Sequence, residues 1–202
     1  MTSGSVRPAG ADAGRADPGE RLLRQAVREQ PGLTVLTGGQ TGVDSYAARA
    51  ALEAGLAVHL VFPEGYRQED GPLTATRRRR LAGASMHELS SASFRNRTWT
   101  CAYLADAILL IDPAGGSGCR ETARAAGSLG RPLLRPGADG LTAAQAASWL
   151  AGNDVRVLMV AGCRASVLAS KGKGRGLRTQ LAAIMAGARA YHDQRVAADT
   201  EG

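Results

Sequence analysis

Aromatic residues, long apolar runs and paired cysteines are all scarce in this chain of 202 residues. Phe, Trp and Tyr make up 4% of the sequence, so aliphatic side chains must build the core. No apolar stretch approaches the roughly 20 residues of a membrane-spanning helix, which excludes a membrane partner. The three cysteines, Cys101, Cys119 and Cys163, fit neither a disulfide framework nor a zinc-ligand pattern, so we expect no metal site. Free cysteines and an amino terminus without an apolar signal core indicate a cytoplasmic protein.

Acidic residues are fewer than basic ones, with 18 Asp and Glu against 25 Lys and Arg, so the formal net charge is +7. Much of the excess lies in two basic segments, 77–80 (RRRR) and 171–175 (KGKGR). A basic balance favours anionic partners such as phosphates, nucleotides or nucleic acid. Neither segment has interleaved aromatics and no recognition motif accompanies the charge, so nucleic-acid binding ranks last among the candidate functions.

Short apolar segments alternate with helical patterns along most of the chain. Five main strands are predicted at 33–37, 57–62, 107–111, 132–134 and 155–161, with a short edge strand at 86–89. Continuous apolar strands between helices are typical of a parallel sheet covered on both faces. We therefore expect a single doubly wound, Rossmann-like α/β domain over residues 19–193. Residues 1–18 are expected to form a disordered tail and residues 194–202 a flexible one.

Two glycine-rich loops follow the first and third predicted strands. The commonest order for five strands, 2-1-3-4-5, would place those two strands side by side with a ligand crevice between their carboxyl ends. Each loop opens a helix, whose free amides and positive end attract anions. Neither loop is a Walker or a G-x-G-x-x-G motif. The predicted anion-binding residues are Gly38, Gly39, Gln40, Thr41 and Gly42 in the first loop and Gly115, Gly116, Ser117 and Gly118 in the second.

Four carboxylates near the predicted crevice are candidates for acid–base chemistry. Asp44 lies in the first turn of the first crevice helix, where a carboxylate would repel a phosphate and should meet a donor instead. Glu69 and Asp70 follow the second strand in PEGYRQEDGPL, beside Arg67, which could clamp an anion. Glu121 lies near the start of the helix after GGSG. Each of the four also has a purely structural interpretation, as a helix-end or solvated charge.

The segments TGGQTGVD (37–44) and PEGYRQEDGPL (63–73) resemble the putative molybdenum carrier family. The resemblance spans about residues 33–166 and also includes Arg97 and Thr98, which it implies are ligand-binding. It implies a Rossmann-like fold shared with the lysine-decarboxylase-like phosphoribohydrolases, a homo-oligomer (dimer or tetramer), and a ligand that is the molybdenum cofactor, a phosphorylated pterin.

The chain departs from that family at several positions. Cys101 replaces the usual Asn, and Cys163 lies in MVAGCRAS where the family has N-V-A-G-P-R-E-S. In GGSGCRET, Glu121 comes one residue before the phosphoribohydrolase glutamate position, which Thr122 occupies. Two functions remain open: a carrier of a phosphorylated heterocyclic small molecule, which we favour, or an N-glycosidase (a phosphoribohydrolase) acting on a nucleotide monophosphate.

Overall fold

The computed structural model describes residues 18–137, 139–172, 174 and 176–201. Six parallel strands form one sheet, and a two-stranded antiparallel hairpin lies apart from it. The strands are β1 (Thr34–Thr37), β2 (Ala57–Phe62), β3 (Arg67–Gln68), β4 (Gly71–Pro72), β5 (Ser85–Glu88), β6 (Ala107–Ile111), β7 (Leu133–Leu134) and β8 (Val157–Gly162). The helices are α1 (Pro18–Arg28), α2 (Val43–Glu53), α3 (Ala75–Arg80), α4 (Phe94–Leu104), α5 (Ser117–Ser128), α6 (Ala143–Gly152), α7 (Ala165–Ser170) and α8 (Leu177–Glu201).

The main sheet has the order β5-β2-β1-β8-β6-β7, which confirms the α/β class with six strands rather than five. The predicted adjacency of the first and third main strands is wrong. β8 is inserted between them, pairing Thr34 with Val157 on one side and Ala107 with Leu158 on the other. All of β8 except its last residue is buried, as befits a central strand, whereas two-residue β7 lies at the edge.

Helices pack around this sheet in two groups. α2 contacts α8, which in turn contacts α6, and α4 contacts α5. The core between them is aliphatic, as the composition predicts, with Leu36, Leu60 and Val160 fully buried. In this described part of the chain, no helix combines the length and hydropathy needed to cross a membrane.

Several segment boundaries differ from the sequence prediction. Residues 64–81, expected to be a polar loop, form a 3₁₀ turn (Glu64–Tyr66), the β3–β4 hairpin and α3, so the four arginines of 77–80 are helical. α8 extends to Glu201, so residues 194–201, expected to be flexible, are helical. The expected amino-terminal tail lies outside the described residues except for Pro18, where α1 begins, and two of the five residues of 171–175 lie outside them too.

Candidate functional site at the carboxyl edge of the sheet

The first glycine loop, residues 38–42, is closed by the protein itself. A Cβ added to Gly38 would overlap the guanidinium of Arg97. One added to Gly42, where φ is +82°, would collide with the carbonyl oxygen of Cys163. Glycine is therefore required here because neighbouring side chains and backbone approach closely, without any ligand being needed to explain it.

The backbone amides of this loop already have acceptors within the protein. Gly39 N donates to Thr37 Oγ1 at 3.2 Å, Gln40 N to Asp44 Oδ2 at 3.3 Å, and Thr41 N to Gln40 Oε1 at 2.9 Å. Three successive amides that the sequence offered as anion donors are thus satisfied internally. This loop does not present a free nest of N–H groups.

Asp44 and Arg97 form a buried ion pair beneath the loop. Arg97 Nη1 lies 3.2 Å from Asp44 Oδ2, and the two residues are 7% and 4% exposed. Burial raises the pKa of Asp44, although Arg97 and the backbone amides of Gln40 and Gly162 oppose that shift. Thr98 is buried as well, and its hydroxyl donates back within α4. The pair therefore joins α2 to α4.

Hydrogen bonds to Glu69 hold the segment 63–73 against the first glycine loop. Its carboxylate accepts hydrogen bonds from the hydroxyls of Thr41 and Ser166 and from Ser166 N, the last at 3.1 Å. Burial acts to raise the pKa of Glu69, but these hydrogen bonds and nearby Arg164 outweigh it and hold the pKa below its usual value. The ionised carboxylate of Glu69 therefore links the segment 63–73 to the first glycine loop.

The remaining two carboxylates are paired with cations or an indole on the surface. Asp70 receives two hydrogen bonds from the Arg77 guanidinium, at 2.6 and 2.7 Å, which lower its pKa. Glu121 accepts from Trp99 Nε1 at 2.6 Å and from Arg95 Nε at 2.9 Å, and these bonds lower its pKa in the same way. All four predicted acid–base candidates thus have partners within the protein.

The second glycine loop, by contrast, is open. Gly115 (φ +66°) and Gly118 have no atom within 4 Å of where a Cβ would lie, and both residues are exposed. The loop leads into α5, a helix of 12 residues whose N-cap, Gly116, provides no side-chain hydrogen bond. Helix amino ends carry uncompensated N–H groups and partial positive charge. Ser117, the first exposed residue of α5, adds a hydroxyl.

Arg67 adds a cation near this edge of the sheet. The side chain is exposed, and its guanidinium lies 5.8 Å from the centre of the Phe94 ring at the start of α4. Among residues whose positions are described, Arg67 forms no ion pair. The predicted binding residues therefore divide into an exposed set (Arg67 and residues 115–118, with Gly116 half-buried) and a set enclosed by protein (residues 38–42, 97 and 98).

The chain matches one family profile over most of its folded part. Residues 35–175, well over half of the chain, match the circularly permutated YpsA SLOG family. The chain belongs to that family. The family membership and the parallel α/β fold confirm the resemblance inferred from TGGQTGVD and PEGYRQEDGPL at the level of family and fold.

One solved structure supports the fold of this SLOG-family chain. The Putative molybdenum carrier protein from Syntrophus aciditrophicus SB is 23% identical, with a TM-score of 0.62 over 78% of this chain and 97% of that one. AtPrR2 in apo form is 12% identical, with a TM-score of 0.35 over 66% of this chain and 49% of the other. No curated protein in the comparison matches significantly.

Sequence reasoning missed one group of residues in this SLOG-family chain. Asp112, at the end of β6, accepts a hydrogen bond from the thiol of Cys163, which follows β8, at 3.2 Å. Cys119 lies beside both, since its sulfur is 3.6 Å from that of Cys163. Part of the signal was present in the sequence, because Asp112 and Cys163 directly follow strands and Cys119 lies in the first turn of the helix after β6. It could be recognised only if β8 were placed beside β6.

Proposed function

We propose that this protein binds a phosphorylated heterocyclic small molecule at the carboxyl edge of its sheet and carries it without cleaving it. The observation that carries the proposal is the contrast between the two glycine loops. The first loop is in close contact with Arg97 and with the backbone at Cys163. The second loop leads into the amino end of α5, which has no side-chain cap and is exposed to solvent. A phosphate would be bound there by the amides of residues 117–119 and the helix dipole. Exposed Arg67 would supply a further cation.

The carboxylates favour carriage over cleavage. Hydrolysis of an N-glycosidic bond needs a carboxyl group that is free to orient water or stabilise an oxocarbenium-like centre. Asp44 is buried against Arg97, and Glu69 is held by Thr41 and Ser166. Asp70 and Glu121 are exposed enough to exchange partners, but each is already ionised and hydrogen-bonded.

The position that resembles the phosphoribohydrolase glutamate supplies no carboxylate either. Thr122 occupies it, is 4% exposed, and donates its hydroxyl to Gly118 O at 3.0 Å. The side chain therefore stabilises the first turn of α5 and points away from solvent. This replacement supports a protein that holds its ligand without acting on it.

The family resemblance indicates the first ligand to test. The solved neighbour is named as a molybdenum carrier, so a phosphorylated pterin, the molybdenum cofactor, is the preferred cargo, and a nucleotide monophosphate is the second. Native mass spectrometry of the purified protein should reveal a co-purifying phosphorylated molecule. The same spectra test our proposal of a homo-oligomer, dimer or tetramer. The three free cysteines fit the proposed cytoplasmic location.

A substitution at Gly118 tests the location of the phosphate. Gly118→Asp fits sterically and suits a helix amino end, so the fold should be retained. The new charge should weaken binding of nucleoside monophosphates, measured by calorimetry, at least tenfold, because charges about 4 Å apart near a surface interact by about 4 kcal/mol. Gly127→Asp, near the other end of α5 and equally open, is the matched control. Equal affinity in both variants would refute the location.

Incubation with purine and pyrimidine monophosphates separates carriage from cleavage. The carrier proposal predicts that no free base appears by liquid chromatography, even after long incubation at high protein concentration. Release of a base by the wild-type chain would establish the N-glycosidase alternative. In that case Glu121→Gln should show whether the carboxylate near the amino end of α5 takes part.

A further inference from the structure

Two thiols and a carboxylate meet just beneath the open loop. Cys119 Sγ lies 3.6 Å from Cys163 Sγ, which lies 3.2 Å from Asp112 Oδ1. All three potential ligand atoms are within 4.8 Å of one another. They come from three separate segments: the end of β6, the first turn of α5 and the residue after β8.

The backbone holds these three residues in place. Asp112 accepts a hydrogen bond from Gly115 N at 2.8 Å. Cys163 N donates to Ile111 O at 3.3 Å, and Cys163 O accepts from Val43 N at 3.0 Å. Both cysteines are only 2% exposed. The donors are therefore positioned by rigid elements before any ligand arrives, which is what a tight metal site requires.

The distances match those expected around a tetrahedral ion. With zinc–sulfur bonds of about 2.3 Å, tetrahedral angles separate two ligand sulfurs by about 3.7 Å. A sulfur and a carboxylate oxygen would be about 3.5 Å apart on the same ion. The observed separations are 3.6 and 3.2 Å. A disulfide would instead need the sulfurs at about 2.05 Å, roughly 1.5 Å closer than they are.

We propose that Asp112, Cys119 and Cys163 bind a divalent cation that favours sulfur ligands, of which Zn²⁺ is the reference. Two metal–sulfur bonds and one metal–oxygen bond form, and the two thiol protons go to solvent. Three protein ligands leave one tetrahedral position, which water can fill. This site lies beneath the proposed phosphate site and shares Cys119 with it, but it uses side-chain atoms and its test requires no phosphate ligand. Cys163 stands where the family motif has proline, so the resemblance does not imply this site.

Cobalt titration of the full-length chain tests the site directly. In the presence of a phosphine reductant, Co²⁺ should bind once per chain, giving a thiolate-to-cobalt charge-transfer band in the near ultraviolet and tetrahedral bands in the visible. Zn²⁺ should displace it and remove the bands. No charge-transfer band in the wild-type protein would overturn the proposal, and so would the finding that Cys119 and Cys163 are disulfide-bonded under these conditions.

Single substitutions assign the ligands. Cys119→Ala and Cys163→Ala should each weaken the band and lower cobalt affinity, whereas Cys101→Ala, which changes the buried third cysteine in α4, should retain both. Asp112→Asn should keep the thiolate band and weaken binding at least about tenfold, since even outer-shell changes cost 10–100-fold. An unchanged band in a Cys119→Ala, Cys163→Ala double variant would refute the site. Circular dichroism verifies that each variant is folded.

Discussion

Replacing Asp44 by asparagine should destabilise the fold. The substitution leaves Arg97, whose side chain is 9% exposed, as a buried cation without its counter-ion. Removal of one partner of a buried pair typically costs about 3–5 kcal/mol. Asparagine still offers an oxygen to the amide of Gln40, so the lower end of that range, about 3 kcal/mol, is expected. For a chain of this size, such a loss lowers Tm by about 6–12 °C.

Urea denaturation followed by circular dichroism measures this loss, and a double-mutant cycle isolates the pair. Arg97→Met alone should also be destabilising, because it leaves Asp44 without its cation. The double variant should be more stable than the sum of the two single effects predicts, since neither charge is then left unpaired. A loss below about 1 kcal/mol for Asp44→Asn, with ligand binding abolished, would refute the structural role and place Asp44 in the ligand site.

Three further predictions follow from the same contacts. Gly38→Ala should cost about 1–3 kcal/mol in urea denaturation, because its Cβ displaces the Arg97 guanidinium, whereas Gly118→Ala should cost nothing. Glu69→Gln should be less stable than wild type at pH 7. The difference should shrink as the pH falls below 4.5 and vanish below the folded-state pKa of Glu69, because that pKa is lowered and the stabilisation is lost on protonation. Burial, with His87 adjacent, lowers the pKa of His59 from 6.5 to about 4. The free energy of unfolding should therefore fall by up to about 3 kcal/mol as the pH is lowered from 6.5 to 4. His59→Gln should make that decrease smaller.

Each of these has its own contradicting result. Equal stability of Gly38→Ala and Gly118→Ala would show that the first loop has room for a side chain. A Glu69→Gln deficit that does not shrink at all as the pH falls below 4.5 would mean that charge is not what holds the segment 63–73. Identical pH profiles for wild type and His59→Gln would show that His59 titrates normally in the folded protein.

The secondary structure was predictable because apolar runs and glycine stops define strands and helices locally. The order of the strands was not, because pairing depends on which buried strand takes the centre. β6 and β8 have similar apolar sequences, so nothing local indicates that β8 lies between β1 and β6. Because the predicted order placed β8 away from β6, it put the two glycine loops side by side and separated Asp112 from Cys163.

The roles of the two glycine loops were equally indistinct in the sequence. A glycine is needed wherever something approaches the backbone closely, whether that is a phosphate or a neighbouring side chain. At Gly38 it is the guanidinium of Arg97, a residue 59 positions further along the chain. Only the packed structure separates this closed loop from the open one at 115–118. In the proposed account, TGGQTGVD is a packing element, and GGSG is the part that would face the ligand.

Amide chemical-shift mapping tests the central claim most directly. The ¹⁵N-labelled protein is titrated with a nucleoside monophosphate, and backbone shifts are followed residue by residue. We predict that the largest changes occur at Ser117, Gly118 and Cys119, at the amino end of α5, while the amides of residues 39–41 stay in place. Shifts concentrated in residues 38–42, with none at the start of α5, would contradict the account.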